Sequence, residues 1–355
     1  MTQSVQTAIL GVTGYAGAEL ARLLLHHPRL KGTPPVFAGR VEAEDAARGG
    51  VPLSEIHPHL GDNNGSGTLK LLPFSWDLLT DRGVKVLFLA TPHEQSREWV
   101  PEALARNLRV IDLSGAWRLV DPAHRAVYKF KDEGSAVATE VQAKAVYGMP
   151  ELHRARIAGA SIVANPGCYS TSVILAARPL VAAGLVDLDR GIVADSKSGV
   201  SGAGKAPTAK THFMYAADNL SAYSVFSHRH TGELLEQIGL RGDQIIFTPH
   251  LLPIPRGILS TIYLQFRNSQ TRDSIVQTYR AFFADSPMVR FYESSLPQIQ
   301  YSVRTNYADI GFELSSDGRR AVIVSCLDNL LKGASGQAVQ NLNVMLGWGE
   351  GEGLE

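Results

Sequence analysis

Two short segments of this chain carry the residue types that covalent catalysis needs. In the first, Asn165-Pro166-Gly167-Cys168-Tyr169-Ser170-Thr171, an apolar run from Ser161 enters a turn, and Cys168 opens a helical pattern. A thiol at a helix N-terminus feels the positive end of the dipole, which favours the thiolate needed for attack. Cys168 thus reads as a nucleophile, and the competing reading is a buried, inert thiol. Cys326, inside Ala321-Val-Ile-Val-Ser-Cys326, takes that second reading. The other segment is Ser227-His228-Arg229-His230-Thr231-Gly232-Glu233, ahead of an apolar helical stretch. His230 suits a general acid/base, with Glu233 three residues on to orient it and Thr231 as the N-cap. A solvated helix entry is the plainer alternative. The other histidines show no zinc spacing: His26 and His27 end a helix, while His57 and His59 flank Pro58. No metal is expected.

A third segment, Gly11-Val-Thr13-Gly14-Tyr15-Ala-Gly17, follows one apolar run and opens a helix. Glycines there let backbone N–H groups approach a pyrophosphate at the helix N-terminus. The spacing is G-x-x-G-x-x-G rather than G-x-G-x-x-G, so its context of strand and helix carries the reading. The next strand ends at Gly39-Arg40, where an arginine suits a ribose 2′-phosphate and points to NADP.

The elements that must position these groups alternate through the first 115 residues. Thr7–Val12, Pro35–Gly39, Val84–Ala90 and Arg109–Ser114 read as strands, with helices at Ala18–His27 and Glu98–Asn107 between them. That order predicts an α/β fold with a doubly wound, Rossmann-type parallel sheet. Residues His57–Pro73 read as a surface excursion. Beyond Ile162 the strands Gly191–Gly199, Gln244–Ile254, Gly257–Phe266 and Ala321–Asn329 have longer connections, with a helix at Ser274–Asp285. They predict a second, α+β domain for catalysis and oligomerisation. Gly257–Phe266 alternates as an antiparallel strand with one covered face does. A last helix, Ser335–Leu346, is free to return to the first domain. The expected division is 1–165 plus 328–355 against 166–327.

The whole chain fits this picture. Its 355 residues suffice for two domains, with 45% hydrophobic and 19% charged residues. Lys plus Arg and Asp plus Glu each number 34, so no basic surplus recruits nucleic acid or an anionic membrane. No apolar run is long enough for a bilayer, the N-terminus lacks a signal-peptide pattern, and two cysteines make no disulfide framework. A cytoplasmic enzyme acting on a small molecule is expected.

Taken in order, GVTGYAGAEL, DLSGAWRL, YGMPEL, NPGCYST, SGVSGAGK, HRHTGE, PRGIL and DNLLKGASGQAVQNLN resemble the N-acetyl-γ-glutamyl-phosphate reductases, relatives of aspartate-semialdehyde dehydrogenase. The resemblance runs from Ala8 to Trp348. It implies NADPH-dependent reduction of an acyl phosphate to an aldehyde in arginine biosynthesis, through a thioester on Cys168. It implies His230 as acid/base with His228 beside it, and Arg118 near the substrate's anionic groups, with Asn165 also at the substrate. Ser201, Gly202 and Gly204 resemble a second backbone cradle at the cofactor, followed by Lys205 as a phosphate contact. Asn329 and Lys332–Gly336, with Lys332 among the cofactor contacts, resemble the segment that closes over the nicotinamide. A homodimer or homotetramer is implied as well. The chain departs from the family at Gly115-Ala116-Trp117, commonly Ala-Asp-Phe, and at Gly232, commonly proline. A reductase of carrier-bound aminoadipyl phosphate is the close rival, aspartate-semialdehyde dehydrogenase a weaker one, and a non-catalytic NADP sensor the rival from another class.

Overall fold

The computed structural model describes residues 5–60 and 69–354. Its first sheet has eight strands: β1 (Thr7–Leu10), β2 (Val36–Gly39), β3 (Val51–Pro52), β4 (Lys70–Pro73), β5 (Val86–Leu89), β6 (Arg109–Asp112), β7 (Ala145–Tyr147) and β8 (Ile162–Ala164). They lie in the order β3-β4-β2-β1-β5-β6-β8-β7, all parallel except the β3–β4 pair at the edge. Strands covered on both faces read as unbroken apolar runs, and every residue of β1 and β5 is buried. The expected excursion at His57–Pro73 is corrected at its end, because Lys70–Pro73 is β4; residues 61–68 lie outside the described residues.

Seven helices bear on the site: α1 (Tyr15–His26), α2 (His93–Ala105), α3 (Pro150–Ala158), α4 (Cys168–Ala182), α5 (Thr231–Ile238), α6 (Arg272–Phe282) and α7 (Gly336–Leu346). Side-chain alternation in the first sheet sorts its cores. Ile9, Val86, Phe88 and Ile111 meet Leu20 and Leu24 of α1 and Val339 and Leu342 of α7. Ala8, Leu10, Leu87 and Leu89 face the other way, with Val100 and Ala103 of α2. The last helix thus shares the core of the first sheet. Each of its buried amides, Gln337, Gln340, Asn341 and Asn343, donates a hydrogen bond, while the oxygens of Gln337 and Asn341 are buried without a partner.

The second sheet contains β9 (Ile192–Gly199), β10 (Ser221–Ala222), β11 (Ile245–Leu252), β12 (Ile258–Gln265), β13 (Val289–Tyr292), β14 (Ala308–Leu314) and β15 (Arg320–Leu327), ordered β10-β11-β9-β12-β15-β14-β13. It is mixed, and β12 pairs antiparallel on both sides, as its alternation predicts. Helices α4, α5 and α6 cover one face. Residues Tyr169 to Ala177 of α4 are all buried, so this helix runs through the middle of the domain. Beneath it Ser172 donates to Ser260 at 2.9 Å and to Ser325 at 3.2 Å, and Ser196 meets Ser260 at 2.7 Å. These hydroxyls satisfy one another and let helix and sheet approach closely.

Candidate active site

Three loops converge where the two sheets meet. The turn after β1 supplies Gly14 to Gly17, the turn after β8 supplies Pro166, Gly167 and Cys168, and the segment entering α5 supplies Arg229 and His230. Together with Ser201, Gly204, Lys205 and Asn329 they line a cavity of about 360 Å³. A second cavity of about 440 Å³ adjoins it and shares Cys168, Gly202, Arg229 and His230. Cys168 therefore stands between two chambers, one walled by the glycine-rich turn and one by Ser198, Lys210, Tyr223 and His228.

Backbone packing explains the glycines. A Cβ on Gly17 would lie 2.1 Å from the Gly11 carbonyl oxygen, and one on Gly11 would lie 2.4 Å from that of Ala90. Strand and helix therefore need glycine at both positions. Gly11 also has φ +93°, in the left-handed region. At Gly14 a Cβ would have only the Gly11 oxygen within 4 Å, at 3.7 Å, so the backbone there stays open towards the cavity. A further cavity of about 330 Å³ runs from Gly11, Thr13 and Gly14 to Gly39 and Arg40 at the end of β2. Arg40 is 92% exposed and 3.8 Å from Glu42. This cradle, glycine-lined at the start of α1 and open as far as Arg40, fits a dinucleotide.

Cys168 is the first residue of α4, as its turn predicts. Burial pushes its thiol up from the usual cysteine value, more than the backbone N–H of Tyr169 and the charges of Arg118 and Arg229 pull it down. The expectation of a thiolate favoured by the helix end is corrected: in the free protein, desolvation wins. His230 is 6% exposed, with Nδ1 lacking a hydrogen-bond partner. Burial, then His228, Arg118 and Arg229, hold its imidazole well below the ordinary histidine range. It is a neutral base beside a neutral thiol. Gly167 admits its ring, since a Cβ there would lie 2.5 Å from His230 Nε2. His228 accepts the backbone N–H of His230 at Nδ1, 3.1 Å away, and burial lowers it to about 4. His228 lines only the second cavity, whereas His230 lines both.

Other expectations need correction. Glu233 does not hold His230, whose Nε2 is 4.0 Å away. Its Oε2 accepts from the Tyr147 hydroxyl at 2.7 Å and the Gly167 N–H at 2.9 Å, while Oε1 accepts from Arg118 at 3.1 Å. Glu233 thus fixes the turn before the thiol. Arg118 lines the cavity, but its guanidinium is committed to Glu233 and the carbonyls of Asn165 and Leu113. Asn165 faces inward: its amide donates to the Ala334 carbonyl at 2.9 Å and its oxygen accepts from Asn341. The residue preceding α5 is His230 rather than Thr231, and it makes no side-chain cap.

Lys332 is the largest departure from expectation. Its side chain is fully buried, donating at 2.6 Å to both Glu151 and Gln340, so it is not a cofactor contact. Asn329 does line the cavity, with its amide donating to Ser201 at 2.9 Å and its oxygen accepting from Gly257. Lys205 reaches the Thr13 carbonyl at 3.2 Å. Two residues escaped the sequence argument. Arg229 is exposed and lines both cavities, and Tyr147 anchors Glu233 from β7. Arg229 was legible as a cation between two histidines; Tyr147 left no local signal. Among the described residues no group of three histidine, cysteine or acidic side chains forms a metal set, and no helix is long and apolar enough to cross a membrane.

Comparison with known proteins decides the lineage. Residues 6–160 match the family model "Semialdehyde dehydrogenase, NAD binding domain", and residues 168–329 match "Semialdehyde dehydrogenase, dimerisation domain". The N-acetyl-gamma-glutamyl-phosphate reductase of Methanocaldococcus jannaschii is 41% identical, covering 98% of this chain and 97% of its own. That of Desulfotalea psychrophila is 42% identical, covering 99% and 98%. The chain belongs to the N-acetyl-gamma-glutamyl-phosphate reductase family. At the level of fold, this family member is similar to aspartate semialdehyde dehydrogenase II of Vibrio cholerae, with a TM-score of 0.69 at 17% identity over 97% of this chain and 99% of that one.

Proposed function

We propose that the chain reduces N-acetyl-γ-glutamyl phosphate to N-acetylglutamate semialdehyde with release of phosphate, using NADPH, in arginine biosynthesis. The observation that carries the reading is the position of Cys168 and His230 between a dinucleotide cradle and a second chamber. A bound reduced nicotinamide would supply the hydride, held by Gly14–Gly17, Ser201, Gly204 and Asn329, with Arg40 at a 2′-phosphate. The rest is the work of the chain. Neutral His230 takes the proton as the Cys168 sulfur attacks the acyl carbon. The carbon–oxygen bond to phosphate breaks, and phosphate leaves with that electron pair. The resulting thioester carbon accepts hydride, and the tetrahedral adduct collapses to aldehyde and thiolate, which recovers its proton from His230. Division into two steps avoids direct displacement of phosphate by hydride.

The walls suit an anionic substrate. The second chamber carries Lys210, Arg229, His228 and His230 with no acidic side chain among its lining residues. Arg229 is assigned to the substrate's phosphate or carboxylate, and Arg118 to the frame behind it. We further divide the chain at 165/166 and 327/328, supported by β8 ending at Ala164 and β15 ending at Leu327. A dimer or tetramer through the open face of the second sheet is supported by exposed Val193, Ile246 and Tyr263 there. A cytoplasmic setting fits soluble substrates. The test is the reverse reaction: N-acetylglutamate semialdehyde, phosphate and NADP⁺, with formation of NADPH followed by absorbance. Phosphate-dependent formation that disappears in Cys168→Ser supports the reading. Cofactor binding without turnover refutes the substrate, and turnover surviving the substitution refutes the nucleophile.

A further inference from the structure

Between β15 and α7 the chain makes one π-helical turn, Leu331–Ser335. Gly333 N–H bonds to the Asp328 carbonyl at 2.9 Å and Ser335 N–H to that of Leu330 at 2.8 Å, both spanning five residues. Such turns are rare and less stable than the α-helix, so contacts outside the turn must hold this register. Those contacts reach two of the three loops that form the site. A Cβ on Gly333 would lie 2.8 Å from Cys168 Cβ, so the turn sits directly on the thiol-bearing residue. The Ala334 carbonyl accepts from Asn165, in the turn before Cys168. Ser335 donates to the Ala16 carbonyl, in the glycine-rich turn, at 2.7 Å.

What pins the turn is Lys332. Its ammonium and the Glu151 carboxylate of α3 are each 0% exposed and 2.6 Å apart. Gln340 of α7 closes the group, accepting from Lys332 and donating to Glu151 at 2.8 Å. Burial alone would raise the Glu151 carboxyl, yet Lys332 and Gln340 leave it lowered. An enclosed ion pair is costly to desolvate and is weak evidence for stability as such; fixing one register among competitors is its best-attested use. We infer that the Lys332–Glu151 pair is a positioning device, holding the π-turn against Cys168 and the glycine-rich turn and thereby setting the relation of thiol to cofactor. The role of Cys168 rests on the function proposed above; the geometric claim does not.

The test uses the full chain with Glu151→Leu/Lys332→Met, which replaces the pair by apolar side chains of similar volume and is expected to leave folding nearly intact. Expected are a wild-type-like thermal midpoint, a kcat lower by about 10²-fold with KM for the semialdehyde little changed, and faster alkylation of Cys168 by iodoacetamide, mapped by peptide mass to exclude Cys326. A folded double variant with wild-type kcat and alkylation rate overturns the inference and leaves the pair purely structural. Should the double variant not fold, Glu151→Gln decides, because it removes the charge of the pair while keeping a hydrogen-bonding side chain of the same size. Wild-type turnover and alkylation there also overturn the inference. If the wild-type chain itself shows no phosphate-dependent NADPH formation, the proposed reaction fails, and the alkylation rates still decide the positioning role.

Discussion

At Cys168 two effects compete, and their balance sets how the residue works. The helix N-terminus and the nearby cations favour a thiolate, while desolvation at this half-buried position disfavours it and prevails. On the proposed mechanism the thiol is then activated by proton transfer to neutral His230 during attack rather than by a standing ion pair. Alkylation of Cys168 followed against pH should show a midpoint above that of an ordinary cysteine. A midpoint below neutrality would mean a preformed thiolate–imidazolium pair. The proposed anion site rests on Arg229, which has no acidic partner among the described residues. Charge-assisted hydrogen bonds contribute about 1.5–3 kcal/mol, so Arg229→Met should lower kcat/KM by about 10–100-fold while NADPH affinity, measured by fluorescence quenching, stays the same. Loss of cofactor affinity instead would move Arg229 to the dinucleotide.

At the scale of elements, the glycine-rich turn is a packing device as much as a binding loop. Gly17→Ala forces a Cβ onto the Gly11 carbonyl at 2.1 Å, which must part α1 from β1. Titration calorimetry should show NADP⁺ binding weakened by about tenfold or more, and the thermal midpoint should drop, since overpacking typically costs about 1–3 kcal/mol. Unchanged binding would mean that α1 does not carry the pyrophosphate. Elements with one dominant period were legible in the sequence: the buried strands β1 and β5, alternating β12, and the turn ending at Cys168. Others were not. Strand β14 contains Asp309, buried against Arg290 and Ser302, and Gly311, so its pattern does not alternate. Strand β4 follows a glycine- and asparagine-rich stretch that masks it. Lys332 shows the same limit in the site, because the resemblance places it in the segment over the nicotinamide, and only the fold brings Glu151 to it.

The whole molecule brings the proposed nucleophile, base and cradle together from the segments at Gly14, Cys168 and His230, far apart in sequence, and buried polar groups carry much of that convergence. Five histidines, His27, His57, His153, His228 and His230, are lowered, with burial the leading cause for each. Unfolded, each takes a proton near 6.5, whereas His228 resists until about 4. The unfolded chain therefore binds more protons as pH falls through that window, and stability is full above 6.5 and lost below it. The buried carboxyls of Asp112 and Glu350 are raised and act in the opposite sense, but they are two against five. The unfolding free energy from urea titrations should accordingly fall between pH 7.5 and pH 5, with His228 alone contributing at most about 1.4 kcal/mol per pH unit between 6.5 and about 4. A free energy that holds or rises would show that these rings are not held neutral.

A covalent acyl–enzyme on Cys168 is directly visible to intact-protein mass spectrometry. The chain is mixed with N-acetyl-γ-glutamyl phosphate without reduced cofactor, quenched in acid, and digested to locate any adduct. The predicted result is one N-acetylglutamyl group on the peptide bearing Cys168, absent in Cys168→Ser and discharged on addition of NADPH. Steady turnover with no adduct at Cys168, or with an adduct elsewhere, would rule out a Cys168 thioester.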